Sequence, residues 1–98
     1  MAREELESEV KQLYEHLAAT RERPIEREAS RWIGEADAIA ADLVGPEIAD
    51  LDLDVIHNRV GHVADLLSNI EGTGDSTADE HVEAARDLAN TILESNTK

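Results

Sequence analysis

The strongest constraint on the fold is the spacing of apolar residues between positions 24 and 44. Apolar side chains recur there at alternating intervals of four and three residues. They are Ile25, Ala29, Trp32, Ala36, Ile39 and Leu43. This spacing places them on one face of an α-helix and is typical of a helix–helix seam. Pro24 suits a first helical turn and Gly45-Pro46 ends the pattern, so we predict an amphipathic helix over residues 24–44.

Three other segments have the same kind of apolar periodicity, and each is long enough for several helical turns. They predict helices over about residues 3–21, 52–71 and 77–95, with a short turn at 46–50. Gly72 is a natural stop for the third of these segments. Thr77 and Glu80 have the spacing of a capping box at the start of the last segment. No strand-like alternation and no internal repeat is present in the sequence.

Four amphipathic helices of about 18 to 20 residues, each roughly 27 to 30 Å long, predict an all-α fold. The short loops favour an antiparallel up-down-up-down four-helix bundle formed by one domain over residues 1–98. An alternative arrangement opens the helices into longer hairpins that complete their core in a dimer. Both arrangements use the same apolar faces, so the sequence leaves the oligomeric state open.

The charge balance excludes several classes of partner. Nine Lys and Arg residues oppose 23 Asp and Glu, which gives a formal net charge of −14. This charge repels a phosphate backbone and an anionic membrane surface, so we expect neither membrane association nor direct nucleic-acid binding. There is no cysteine and no long apolar run, and the first residues are charged. We therefore expect no disulfide, membrane span or signal peptide, and a cytoplasmic location.

The composition is also poor in lysine, with Lys11 and Lys98 beside seven arginines. Acidic, lysine-poor surfaces are typical of halophilic archaea, where high salt screens the self-repulsion of such a surface. In this composition and in its helical pattern, over its whole length, the chain resembles small uncharacterised all-helical proteins of haloarchaea. The resemblance implies a halophilic setting, and it implies no activity and no site residues.

The four histidines do not form a metal-binding pattern in the sequence. They are His16, His57, His62 and His81. Bundle metal sites use Glu-x-x-His pairs that project inward, and this motif does not occur. On a regular helix, His57 and His62 point to different sides of the third apolar face, while His81 lies near the edge of the fourth. We predict no catalytic residue, no metal ligand and no cofactor.

Paired carboxylates offer an alternative function. All-α nucleotide pyrophosphohydrolases of the MazG type hold magnesium with Glu-x-x-Glu and Glu-x-x-Asp pairs. This chain has such spacings at Glu4 and Glu7, at Glu80 and Glu83, and at Glu47 and Asp50. Acids are also favourable at helix starts without any metal. A small metal-dependent nucleotide hydrolase is therefore kept as an alternative hypothesis.

Four of the nine positive charges lie close together, at Arg21, Arg23, Arg27 and Arg31. Arg23, Arg27 and Arg31 point away from the Trp32 face, so they are candidates for contact with an anion or an acidic partner. Pairing with nearby acids such as Glu28 and Glu35 would also account for Arg31. A regulatory accessory protein that uses this cluster is a second alternative.

The back of the second helix carries small residues. The stripe consists of Ser30, Gly34, Ala38 and Ala41, with Ile33 bridging to the apolar face. A glycine inside a helix costs about 1 kcal/mol relative to alanine, so its presence suggests close approach of another helix. We predict a helix–helix interface at these five positions. The leading hypothesis is a non-enzymatic helical module that forms a homo-oligomer or binds a protein partner.

Overall fold

The computed structural model describes residues 2–45 and 48–94, and this part of the chain is almost entirely helical. Four α-helices, α1 (Arg3–Ala19), α2 (Arg27–Leu43), α3 (Leu53–Ser68) and α4 (Ser76–Glu94), are accompanied by 3-10 turns at Thr20–Glu22 and Ile48–Asp50. There is no strand among the described residues. The predicted all-α bundle of four helices is confirmed.

The four helices pack in a ring that follows the order of the chain. α1 contacts α2 and α4, and α3 contacts α2 and α4, whereas the diagonal pairs make few contacts. The α1–α2 and α3–α4 loops meet at one end, where the N–H of Glu26 donates to the carbonyl of Thr73 at 2.7 Å. None of the helices described is both long and apolar enough to cross a membrane.

The core is built almost wholly from aliphatic side chains and alanine. α1 contributes Leu6, Val10, Leu13 and Leu17, the same four residues that its sequence periodicity selects. The largest fully buried side chains of the other helices are Leu43, Ile56, Leu67 and Ile92. The core contains no Phe, and all of its buried alanines come from α2 and α4, so these two helices contribute the smaller side chains.

Helix α2 is rotated relative to the face predicted from its seam. Ile33 and Ala40 are buried, while Trp32 and Ile39 are only half-buried. The apolar residues of this helix cover a wide arc, so packing decides which part of the arc faces inward. Ala40 and Ile33, which are smaller than Trp32, face the core, and Trp32 lies at the edge of the core.

Two helix boundaries differ from the sequence-based expectation because contacts from distant residues intervene. α2 begins at Arg27 rather than at Pro24. Glu26 is held in an extended conformation by its hydrogen bond to Thr73, which lies on another loop. α3 ends at Ser68 rather than near residue 71. The guanidinium of Arg86 donates to the carbonyls of Leu67 and Ile70, and so binds the backbone where the chain leaves the helix.

The start of α4 uses a different cap from the predicted capping box at Thr77. Asp75 precedes the first helical residue, and its carboxylate accepts the N–H of Ala78 at 2.9 Å. Asp79 reaches back instead to Thr73, whose N–H and hydroxyl both donate to its Oδ1 at 2.8 Å. Asp75 is therefore the N-cap residue, and Asp79 organises the loop before it.

Candidate functional site

The outer face of α2 carries the stripe of small residues predicted from the sequence, with one exception. Ser30, Gly34 and Ala38 are exposed, and Ala41 is half-buried. Ile33 is only 3% exposed and packs in the core, so it is not part of this outer face. The rotation of α2 that leaves Trp32 at the edge is what draws Ile33 inward. We call the four remaining residues the small-residue face.

Gly34 lies at the centre of the small-residue face, and nothing inside the chain requires a glycine there. A Cβ built at this position has no described atom within 4 Å, apart from its two chain neighbours and the adjacent backbone of its own helix. The residue is also helical, where glycine is less stable than alanine by about 1 kcal/mol. The glycine therefore has no intramolecular packing reason among the described residues.

Two of the four clustered arginines share this face with the small residues. At 3.6 residues per turn, Arg27, Arg31, Gly34 and Ala38 fall within an arc of about 60°. Both arginines are exposed. The guanidinium of Arg31 lies 5.9 Å from the centre of the Trp32 ring, which is within range of a cation–π contact.

The other two arginines bind acids within the fold. Arg21 donates two hydrogen bonds to the carboxylate of Asp37, at 2.6 and 2.8 Å. Arg23 makes a similar two-point contact with Asp75, with both distances 2.9 Å. The four arginines therefore do not form a single site: two stabilise tertiary contacts and two face outward.

The Arg21–Asp37 pair is formed between an exposed cation and a buried acid. Asp37 is 7% exposed and lies on α2 beside the core, while Arg21 follows α1 and remains largely in water. Hydrogen bonds from the guanidinium to Asp37, and then to the Tyr14 hydroxyl, raise the pKa of Arg21 above its ordinary value. The pair closes one wall of a cleft of about 240 Å³ that Ser30 and Gly34 also line.

The Arg23–Asp75 pair connects the two loops at the same end of the bundle. Hydrogen bonds from Arg23, followed by the N–H of Ala78, lower the pKa of the Asp75 carboxyl below its ordinary value. The ionised carboxylate therefore caps α4 and binds the α1–α2 loop at the same time. This is a structural role, and it explains why Arg23 is not available for an external anion.

Among the described residues, the acidic pairs proposed for magnesium do not come together into a metal-binding group. Glu80 and Glu83 are exposed on α4, and Glu4 is exposed on α1 beside a half-buried Glu7. Glu7 accepts a hydrogen bond from Arg3 at 3.1 Å. Glu47, of the third pair, lies outside the described residues. Within residues 2–45 and 48–94, no three His, Asp or Glu side chains are arranged to hold a metal ion.

Two histidines that are far apart in the sequence meet between α1 and α4. The Nδ1 atoms of His16 and His81 are 3.0 Å apart, and their ring centroids are 5.2 Å apart. Both side chains are half-buried. His62 is exposed on α3, and the buried Nε2 of His57 has no hydrogen-bond partner in the described part of the chain.

Sequence reasoning missed the residues that pair across elements. Asp37 was an acid next to the predicted apolar face, and Asp75 was a loop residue, so neither had a distinguishing local pattern. His81 lay near the edge of an apolar face, which was a signal of partial burial. Its contact with His16 could have been found by aligning α1 and α4 as antiparallel neighbours, because the two positions then fall at the same level.

Trp32 borders another cleft at the loop end of the bundle. The cleft has a volume of about 240 Å³ and includes Glu28, Asn69 and Glu71 in its walls. The indole Nε1 of Trp32 is buried, and no described group accepts its hydrogen. A buried indole N–H usually has a hydrogen-bond partner, and none of the described residues supplies one here.

Comparison with known proteins assigns the chain to a family whose description names no activity. Neither the curated proteins nor the solved structures contain a match to the chain. Residues 9–98 match the family described as a domain of unknown function, DUF8152. This match covers all four helices apart from the first turns of α1. The chain therefore belongs to the DUF8152 family.

Proposed function

We propose that this protein is a non-enzymatic helical module that pairs with a second copy of itself through the small-residue face of α2. The observation that carries the proposal is Gly34, an exposed helical glycine with open space where its Cβ would lie. A glycine that is unfavourable for the helix and unnecessary for the core is explained by close approach of another helix. Small residues allow two helix backbones to approach closely and so extend their van der Waals contact.

An antiparallel arrangement of two copies can be centred beside Gly34, the smallest residue of the small-residue face. A two-fold axis between Gly34 and Glu35 places Arg31 of one copy opposite Ala38 of the other. The same axis brings the glycines of the two copies side by side. An interface related by a two-fold axis must complement itself in this way.

The charges on this side of α2 also complement themselves. Exposed cations lie in its N-terminal half, at Arg27 and Arg31, and two exposed acids lie in its C-terminal half, at Glu35 and Asp42. In the antiparallel pair, Arg31 lies between Glu35 and Asp42 of the second copy. Arg27 lies opposite Asp42 of the second copy. Such a pattern favours the antiparallel register and opposes the parallel one, because parallel packing aligns like charges.

High salt supports association of such an acidic chain. Two copies with a formal charge of −14 each repel one another at long range. At molar salt the Debye length is about 3 Å, so only charges in direct contact still interact strongly. The setting that we propose is therefore a salt-rich cytoplasm, in which the general repulsion is screened and the short contacts at α2 remain.

Sedimentation equilibrium of the full chain in 2 M KCl tests the proposal. We expect wild-type protein to form a dimer, and Gly34→Leu to be a monomer with an unchanged helical circular dichroism spectrum. Asn90→Leu places the same side chain at an exposed site on α4 and serves as the matched control, so it should remain dimeric. A wild-type chain that is monomeric at every concentration would refute dimer formation. A dimer that survives Gly34→Leu would refute the interface.

A charge exchange tests the register separately. Arg31→Glu and Glu35→Arg should each weaken the dimer, because each places like charges opposite one another. The double variant should bind more tightly than either single variant, since the pair between positions 31 and 35 is then exchanged, but it should stay weaker than wild type because the new carboxylate at position 31 still faces Asp42. If the double variant is no tighter than the single variants, the antiparallel register is wrong.

A further inference from the structure

The contact between His16 and His81 brings together two metal-binding side chains from different helices. His16 lies near the end of α1 and His81 near the start of α4. Their Nδ1 atoms face each other at 3.0 Å. Neither ring is part of the aliphatic core or of the small-residue face of α2, so neither feature accounts for the contact between the two histidines.

The distance between the two nitrogens is close to that required for a shared metal ion. Two imidazole nitrogens at about 2.0–2.1 Å from a tetrahedral ion are about 3.3–3.4 Å apart. The observed distance is shorter by a few tenths of an ångström, which a small rotation of the two rings supplies. In the metal-free chain the same atoms make an N–H···N hydrogen bond, for which one ring carries its hydrogen on Nδ1 and the other accepts.

We propose that His16 and His81 form a site for one divalent transition-metal ion, with Zn²⁺, Ni²⁺ and Cu²⁺ as the class of ligand. Each ring binds through Nδ1 and carries its hydrogen on Nε2. The ring that donated the hydrogen bond therefore moves that proton from Nδ1 to Nε2, and no net proton is released from two neutral imidazoles. The bound ion joins α1 to α4 near the loop end of the bundle.

The surroundings fit a labile, partly hydrated ion. Both rings are half-buried, so one side of the site faces water. Because no third ligand is in place among the described residues, water completes the coordination. Imidazole nitrogen selects zinc, nickel and copper over magnesium and calcium, which prefer oxygen ligands. The net charge of −14 attracts cations in general, and the two nitrogens supply the selectivity.

A thermal melt with metal tests the site on the full chain without an affinity tag. An ion that binds the folded state alone raises the unfolding midpoint in proportion to the logarithm of its excess over the dissociation constant. We expect Zn²⁺ to raise the unfolding midpoint of the wild-type protein, and the same concentration of Mg²⁺ to leave that midpoint unchanged. The rise should disappear in His16→Gln and in His81→Gln. His62→Gln, which removes an exposed histidine of α3, should keep the full rise.

Nitrogen NMR of the wild-type chain gives a reading that depends on no variant. One equivalent of Zn²⁺ should shift the Nδ1 resonances of His16 and His81 together and leave those of His57 and His62 in place. The proposal is overturned if zinc, nickel and copper all leave these two resonances and the midpoint unchanged. It is also overturned if the glutamine variants respond like wild type, or if the metal shifts His57 or His62 instead.

Discussion

Replacing Gly34 with alanine should stabilise the isolated chain, whereas the same change at Gly74 should destabilise it. A Cβ at Gly34 meets no described atom within 4 Å, so the substitution adds a methyl group in open space. The backbone there is already helical, and alanine is the better helix former by about 1 kcal/mol. Gly34→Ala should therefore increase the free energy of unfolding by about that amount.

The situation at Gly74 is the opposite because the backbone has a positive φ of 84°. A Cβ there would lie 2.9 Å from Cγ of Glu26 and 3.2 Å from its Oε1. The left-handed conformation alone costs a non-glycine residue about 1–2 kcal/mol. Gly74→Ala should lose at least that much, since Glu26 must also move and its N–H is bound to Thr73.

Thermal unfolding by circular dichroism measures both changes, at a protein concentration low enough for the chain to be monomeric. For a domain of this size, 1 kcal/mol corresponds to about 4–8 °C. We therefore expect the midpoint of Gly34→Ala to rise by that interval and the midpoint of Gly74→Ala to fall by at least as much. A midpoint of Gly34→Ala at or below that of wild type would show that the space beside Gly34 is not free. That result would remove the basis for the proposed interface.

Two further predictions concern the charges. The unfolding midpoint should be higher in 2 M KCl than in 0.1 M KCl, because salt screens the repulsion within a chain of net charge −14. Equal midpoints at the two salt concentrations would contradict a halophilic origin. The pKa of Asp75 is lowered in the folded state, so its stabilising effect is present above the pKa of the unfolded carboxyl, near 3.9, and is lost as the pH falls through the lower folded value. Asp75→Asn keeps a residue that can cap α4, and its deficit in midpoint relative to wild type should be present at pH 6 and should decrease as the pH falls below about 3.9. A deficit that does not change with pH would assign the effect to shape rather than charge.

The sequence predicted the helices well because their apolar periodicity is local. The four leucine and valine positions of α1 are the buried ones, and each predicted helix is present. The ends of the helices were predicted less well, since they depend on partners far along the chain. Pro24 suits a first helical turn, but the hydrogen bond between Glu26 and Thr73 holds the chain extended up to Arg27. No local sequence pattern indicates that bond.

The candidate surfaces were predictable only in part, for a related reason. Exposure of Ser30, Gly34 and Ala38 followed from their angles on the helix, but the inward position of Ile33 depended on how a wide apolar arc is packed. The clustering of Arg21 and Arg23 with Arg27 and Arg31 was a property of the sequence alone. In three dimensions, Asp37 and Asp75 bind the first two. The meeting of His16 and His81 required knowing which helices are neighbours, and at what level.

The contact of Arg86 with the end of α3 has a consequence for how the family can vary. Its acceptors are the backbone carbonyls of Leu67 and Ile70, which every amino acid provides. A substitution at an exposed position beside them, such as Glu71, therefore leaves these acceptors in place, provided that the backbone keeps its course. On the donor side, the contact depends on a single side chain, the guanidinium of Arg86 on α4. Relatives that keep this contact should share an arginine at position 86, even where an exposed residue next to the acceptors, such as Glu71, differs.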